Sequence, residues 1–177
     1  KLSTYLFLVL FSFQTSSQAN DIRDFQIEGM SIGDSALDFF TEDQINNASK
    51  TIYPNSKKYQ LAHILTNSDV YDQFTFAIKP DDRRYIIYSL AGDIHFADDL
   101  TGCLNKKKEI VEEVSSIFTN TKKNSYTYKY EDIDDGKSIA YINAFAFNNN
   151  DKIRAWCVNW SEVTEKKRNF VDNLSLS

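Results

Sequence analysis

Six strand-like segments, several of which alternate apolar and polar side chains, fall into two groups of three. The segments of the first group begin at Tyr59, Tyr71 and Tyr85, and those of the second begin at Tyr126, Ser138 and Lys152. Such alternation is typical of β-strands that bury one face. Turn-forming sequences, PDDRR in the first group and DIDDGK and NNND in the second, separate neighbouring segments. We therefore expect each group to form antiparallel sheet.

A strongly amphipathic segment, LNKKKEIVEEVSSIF, lies between the two groups. Its apolar residues, among them Ile110, Val114 and Ile117, recur with the period of an α-helix, and its Lys and Glu residues fall mostly outside that arc. The pattern predicts a helix over residues 104–118 with one face turned to the core.

Shorter helices are predicted towards both ends of the chain. Ser31 and Thr41 are each followed three positions later by Asp or Gln, which is the spacing of a capping box. Ser161 is expected to cap a last helix that carries Phe170 and Leu174 on one side. The predicted order is α-βββ-α-βββ-α, an α+β fold of antiparallel sheet with helices packed on one face.

Cys103 and Cys157 are the only cysteines of the chain. Cys103 projects onto the apolar arc of the central helix, and Cys157 shares a strand face with Ile153 and Ala155. Both are expected to face the core, so we predict a structural disulfide between them, as is common in exported proteins. The alternatives are a metal site or a redox pair, but the chain has no CxxC spacing and only two histidines. We predict no metal and no cofactor.

The chain opens with the pattern of a secretory signal peptide. Lys1 precedes the apolar run YLFLVLFSF, and the small residues Ser17 and Ala19 stand where signal peptidase requires small side chains. An apolar run of this length covers only half of the roughly 20 residues that span a bilayer, which favours a cleaved leader over a membrane anchor. We expect residues 1–19 to be removed and residues 20–177 to form a single α+β domain, periplasmic or secreted.

The charge balance argues against a nucleic-acid partner. The chain has 20 Lys and Arg against 25 Asp and Glu, a formal net charge of −5, whereas nucleic-acid-binding proteins concentrate positive charge on one face. Its two short basic runs, KKK from Lys106 and KKR from Lys166, lie beside acidic residues. We expect the partner to be a protein or a small ligand of the cell envelope.

The tetrapeptide Gly33-Asp34-Ser35-Ala36 is similar to the GDSL block of a hydrolase family. Such a hydrolase needs a buried strand before its Ser and a His base in a DxxH block near the C-terminus. The preceding residues DFQIEGM are too polar for a central strand, and no His follows His95. We therefore interpret Ser35 as a residue of a first helical turn and predict no catalytic residue.

The longer stretch IEGMSIGDSALDFF, residues 27–40, resembles the opening of small envelope lipoproteins of the BamE/SmpA/OmlA type. That resemblance implies a GM-S/T motif leading into a short helix, followed by helices packed on a three-stranded antiparallel sheet. This chain differs in having no lipid-accepting Cys and twice as many predicted strands. The whole chain is also similar to uncharacterised exported, periplasmic proteins of AT-rich marine bacteria, a resemblance that implies no particular activity.

One functional hypothesis is a non-catalytic binding or interaction module. The chain contains 13 Phe, 10 Tyr and 2 Trp without a matching catalytic set. Tyr126, Tyr128 and Tyr130 alternate with Thr127 and Lys129, so they are expected to form a row on one sheet face. Tyr is enriched in recognition surfaces. The alternative is a buried row in which each hydroxyl finds a partner.

The other hypothesis is a small hydrolase that uses loop carboxylates. The adjacent pairs Asp81-Asp82 and Asp98-Asp99 are the candidates, although such pairs are common in surface loops. The acidic loop DIDDG offers oxygen ligands for calcium, but it lacks the full alternating series and the terminal Glu of an EF-hand. We expect that loop to be a turn.

Overall fold

The computed structural model describes residues 21–52 and 56–177. The predicted leader and the predicted mature N-terminus lie outside the described residues. Within the described part of the chain, no helix has the length and apolar character needed to cross a membrane.

Within these ranges, eight strands form one antiparallel sheet. They are β1 (Ser49–Ile52), β2 (Gln60–Leu65), β3 (Gln73–Ile78), β4 (Ser89–His95), β5 (Lys122–Lys129), β6 (Ile139–Ala146), β7 (Lys152–Asn159) and β8 (Asn173–Leu176). Their order across the sheet is β1-β2-β3-β4-β8-β7-β6-β5. The helices are α1 (Glu42–Asn47), α2 (Leu100–Ile117) and α3 (Glu162–Arg168), with short 3-10 turns at Ile22–Asp24 and Ala36–Asp38. The predicted α+β class is confirmed.

Strand β8 joins the two predicted groups of strands, because it pairs with β4 on one side and with β7 on the other. The placement of Phe170 and Leu174 in the last helix was wrong. Helix α3 stops at Arg168, where Asn169 takes the left-handed conformation with φ 56°, and Leu174 lies in β8. In NLSL the alternation extends over only four residues, which is too short to separate strand from helix.

The capping prediction at Thr41 is confirmed, whereas at Ser31 only half of the box forms, because the Asp34 side chain accepts from the Ser31 N–H at 2.8 Å. The Thr41 hydroxyl accepts from the Gln44 N–H at 3.2 Å, and the Gln44 side chain accepts from the Thr41 N–H at 2.9 Å. By contrast, the Ser31 hydroxyl donates to the carbonyls of Arg23 and Phe25, both at 3.1 Å. That hydroxyl does not cap a helix, and only the 3-10 turn at Ala36–Asp38 follows.

Helix α2 packs across β7 and β8 on one face of the sheet, which we call the covered face. It begins four residues earlier than predicted, because the Asp99 carboxylate caps it by accepting from the Gly102 N–H at 2.8 Å. The strands turn large apolar side chains to this face, among them the fully buried Phe76, Phe145 and Ile153. The core therefore lies between the sheet, α2 and the N-terminal segment.

The sulfur atoms of Cys103 and Cys157 lie at disulfide distance, 2.06 Å apart. Both residues are buried, as predicted, and they pack with Leu174 and with Ile94 and Leu100 around them. The pair ties the first turn of α2 to β7 and thereby holds the helix on the covered face.

Gly92 on β4 pairs regularly with Phe74 on β3 and with Leu176 on β8. This glycine allows the Tyr71 ring to approach the strand closely. A Cβ at this position would lie 2.5 Å from the Tyr71 ring, so only a glycine leaves room for that ring over the strand.

Candidate functional site

The sheet face opposite α2, which we call the open face, is polar and aromatic. Because side chains alternate along a strand, the residues between the core positions point here. The register aligns His63 with Thr75, and Ser175 with both Asp93 and Trp156. The open face therefore presents a continuous polar row that runs from β2 to β8 and meets a tryptophan on β7.

Asp93 on β4 is the centre of a hydrogen-bond network on the open face. Its carboxylate accepts from the Gln73 side-chain amide at 3.1 Å and from the Thr75 hydroxyl at 3.4 Å. The Ser175 hydroxyl donates to its other oxygen. Neutral donors from β3 and β8 thus surround the charge, which fixes these side chains against one another.

His63 continues the network towards the edge strand β1. Its Nε2 lies 3.0 Å from the Thr51 hydroxyl, and its Nδ1 lies 3.0 Å from the Thr75 hydroxyl. Burial lowers the pKa of His63 and thereby favours the neutral ring. His63 is half-buried, and its side chain links β2 to β1 and β3.

Four rings form an aromatic ladder beside the polar row. The ring centroids of Tyr128 and Tyr130 lie 5.0 Å apart, those of Tyr130 and Trp160 5.1 Å, and those of Trp160 and Phe170 4.8 Å. These separations are typical of favourable aromatic contacts. The ladder brings together the C-terminal end of β5, the residue after β7 and the segment before β8.

The predicted tyrosine row is open at one end and packed at the other. Tyr126 is 43% exposed and Tyr128 is 51% exposed, and both point to the open face. Tyr130 is half-buried because it stacks with Trp160, and burial raises the pKa of the Tyr130 hydroxyl. The row therefore leads from solvent into the aromatic ladder.

The buried Asp172 side chain holds the backbone of Trp160. The Asp172 side chain accepts from the Trp160 N–H at 2.6 Å, and Asp172 is only 4% exposed. Burial raises the pKa of this carboxyl. A buried acceptor on the segment before β8 thus holds the backbone of the residue after β7.

The acidic loop between β5 and β6 anchors α3. The Asp134 side chain, 1% exposed, pairs with Lys167 at 2.7 Å and with Arg168 at 2.5 Å. These cations, Arg168 above all, lower the pKa of Asp134 to about 2. Asp135 accepts from the Ser161 hydroxyl at 2.6 Å. The loop is a turn, and its carboxylates hold both ends of the helix between Trp160 and Phe170.

Two adjacent clefts open on this face. The main cleft has a volume of about 780 Å³ and the second cleft about 340 Å³. The two clefts share five lining residues, of which Trp160 belongs to the aromatic ladder. They are His63, Gln73, Asp93, Trp160 and Asn173. Residues of α1 and of the segment after α3 also line the main cleft, so these two elements flank it.

Carboxamide side chains dominate the polar lining of the main cleft. They are Gln44, Asn47, Gln73, Asn169 and Asn173. The side chains of Asn47, Asn169 and Asn173 make no hydrogen bond with another residue in ranges 21–52 and 56–177. Their donors and acceptors are therefore available to a bound molecule.

Ser35 is committed to local structure. Its hydroxyl donates to the carbonyl of Arg84 at 2.7 Å and accepts from the Leu37 N–H at 3.2 Å. It is the N-cap of the 3-10 turn at Ala36–Asp38. The GDSA tetrapeptide thus fastens the N-terminal segment to the loop before β4.

The two aspartate pairs lie at opposite ends of β4. Asp82 holds Arg84 at 3.1 Å, an interaction that lowers the pKa of the carboxyl, whereas Asp99 caps α2. The seven residues of β4 separate the pairs by roughly 20 Å at the rise of an extended strand. The structure does not bring these carboxylates together. No group of three or more His, Cys, Asp or Glu among the described residues could hold a metal ion.

Sequence reasoning missed most of the cleft. One signal was present, because Trp156, Val158 and Trp160 alternate in KIRAWCVNW and share the face opposite Cys157. No comparable signal marked Phe170 or the contacts among His63, Gln73 and Asp93, since these depend on strands that pair over long distances in the chain.

Comparison of the chain with protein-family models, with curated proteins and with solved structures finds no match. The resemblance of residues 27–40 to BamE/SmpA/OmlA-type proteins stays a prediction. The functional assignment therefore rests on the geometry of the open face.

Proposed function

We propose that the protein is an exported, non-catalytic binding module of the cell envelope and that the open face is its recognition surface. The observation that carries the proposal is the main cleft, which is lined by carboxamides and aromatic rings on a sheet face that α2 leaves uncovered. Large concave sites with aromatic walls and a few fixed polar groups are typical of ligand binding.

The chemistry of the lining favours binding over catalysis. Carboxamides neither titrate nor act as nucleophiles near neutral pH, and they dominate the polar groups of the main cleft. Both ring nitrogens of His63 are engaged by threonine hydroxyls. A rigid, largely neutral surface of this kind fits recognition of a ligand that leaves chemically unchanged.

Export is supported by two features. The first is the signal-peptide pattern from Lys1 to Ala19. The second is the pair Cys103 and Cys157 at disulfide distance, because the oxidising compartments outside the cytoplasm form and keep such bonds. Recovery of the protein from its host with residue 20 at the N-terminus is the expected outcome of intact-mass analysis, and retention of the apolar run would contradict export.

The binding proposal is tested by immobilising the protein and passing over it the protein, glycan and small-molecule fractions of a bacterial envelope extract. The double variant Tyr128→Ala/Phe170→Ala truncates two exposed rings of the open face. Lys106→Ala/Glu109→Ala truncates an exposed pair on α2 and is the control. We expect the first variant alone to lose the retained fraction. Equal retention by wild type and both variants would contradict the proposal.

The hydrolase alternative is tested with the same preparations. Purified protein is incubated with generic ester, glycoside and peptide substrates. Sustained turnover that Asp81→Asn/Asp82→Asn or Asp98→Asn/Asp99→Asn removes would overturn the non-catalytic assignment.

A further inference from the structure

We infer that the main cleft binds a neutral oligosaccharide. This inference rests on the proposed function and names the class of ligand. It follows from three properties of the cleft, which are the kind of polar groups that line it, the aromatic ladder that continues beyond it, and the pairing of the strands that form its floor.

The polar groups of the main cleft match hydroxyl-rich, uncharged molecules. A carboxamide both donates and accepts hydrogen bonds, as a sugar hydroxyl does. The side chains of Asn47, Asn169 and Asn173 make no hydrogen bond with another described residue. No Lys or Arg, the side chains that most often bind an anion, is among the described lining residues. Arg154 lines the second cleft, where its guanidinium lies 5.2 Å from the Trp156 ring centroid.

The aromatic ladder provides surface for the apolar faces of sugar rings. The face of an aromatic ring carries negative potential and attracts polarised C–H groups. Trp160 and Phe170 line the main cleft, and the ladder continues through Tyr130 to the exposed Tyr128. A surface that extends past the cleft in one direction suits a linear chain of several sugar units.

The floor of the cleft does not suit an extended peptide. Extended peptides gain affinity by adding a strand to a free sheet edge. The floor residues Gln73, Asp93 and Asn173 lie on β3, β4 and β8, and each of these strands is paired on both sides. Their backbone groups are used in the sheet, so the floor offers a ligand side chains only.

The chain contains its own reporter for the test. Its two Trp residues are Trp156 and Trp160, and they line the second cleft and both clefts, respectively. Intrinsic fluorescence and titration calorimetry are measured with maltohexaose, cellohexaose and chitohexaose. Hexagalacturonate serves as the charged sugar probe, and a mixed octapeptide library serves as the peptide probe. We expect saturable binding of at least one neutral hexasaccharide.

Matched carboxamide variants locate the site. Asn47→Ala and Asn173→Ala remove side chains that line the main cleft, whereas Asn124→Ala removes an exposed carboxamide on β5 that lines neither cleft. Each cleft variant should lose a hydrogen bond to the ligand, which should weaken binding by about tenfold. These amides have no described intramolecular partner, so we expect the variants to be as stable as the wild type. Thermal unfolding of the variants checks that the fold is unchanged. Asn124→Ala should bind as wild type does.

The outcomes separate the ligand class from the proposed function. Preferential binding of hexagalacturonate or of the peptides, weakened by Asn47→Ala and Asn173→Ala, would overturn the neutral-oligosaccharide inference and leave the open face as the binding surface. Binding of no hexasaccharide would also overturn it, and the extract experiment would then judge the binding function separately. Equal weakening by Asn124→Ala would place the sugar outside the main cleft and contradict the inference.

Discussion

The two faces of the one sheet are built from the same strands but differ in what their side chains contact. On β3, Phe74 and Phe76 are buried on the covered face, whereas the alternating Gln73 and Thr75 join the network of the open face. On β7, Cys157 lies at disulfide distance from α2, and Trp156 lines the second cleft.

This difference shows how one alternating pattern serves two purposes. Apolar side chains on the covered face lose contact with water, which stabilises the fold. Polar side chains on the open face bond to one another or remain available, so they contribute less to stability and more to recognition. Substitutions on the covered face should therefore change stability most, and substitutions on the open face should change binding most.

The largest effect is expected for removal of the cysteine pair on the covered face. Cys103→Ala/Cys157→Ala frees a loop with a sequence separation of 54, which lowers the free energy of unfolding by roughly 4 kcal/mol in the chain-entropy model. Urea unfolding of the oxidised protein and of the double variant measures the loss. Two reactive thiols per chain in the denatured, non-reduced wild type would contradict the bond.

Overpacking of the covered face should produce the next effect. Gly92→Ala places a Cβ 2.5 Å from the Tyr71 ring, and such overpacking costs about 1 to 3 kcal/mol. Tyr71→Ala removes the clash, so the double variant should lose less stability than the sum of the two single variants. Additive losses would show that the ring does not limit this position.

Removal of the Thr75 hydroxyl on the open face should lower stability less than the two changes on the covered face. Thr75→Val removes the group that contacts His63, Gln73 and Asp93, at a cost of about 1 to 2 kcal/mol. Thr127→Val on β5 is the control, because Thr127 is exposed and its side chain makes no hydrogen bond within the described residues. Equal unfolding midpoints for the two variants would show that the network contributes no stability.

The smallest effect on stability is expected at low pH, in the acidic loop that anchors α3. The pKa of Asp134 is lowered from 3.8 to about 2, chiefly by Arg168 and then by Lys167. A carboxyl with a lowered pKa in the folded state stabilises the fold above its unfolded pKa, and this contribution disappears as the pH falls through the folded value. Asp134→Asn should therefore flatten the loss of stability between pH 4 and 2, as measured by urea unfolding. An unchanged pH profile would contradict the ion pairs.

Much of the covered face was predictable and most of the cleft was not. The core positions of α2 and β7 follow from periods of 3.6 and 2, which depend only on local geometry. The cleft depends on contacts such as Ser175 with Asp93, which unite residues far apart in the chain. No periodicity within either segment contains that information.

The sequence by itself determined the strand and helix patterns, the cap at Thr41 and the inward orientation of both cysteines, because each depends on neighbouring residues along the chain. Only the tertiary structure decided that Asn173–Leu176 lies at the centre of the sheet and that Trp160 stacks between Tyr130 and Phe170. A four-residue strand becomes stable there because β4 and β7 supply hydrogen bonds on both sides, and that free energy comes from partners which its own sequence does not specify.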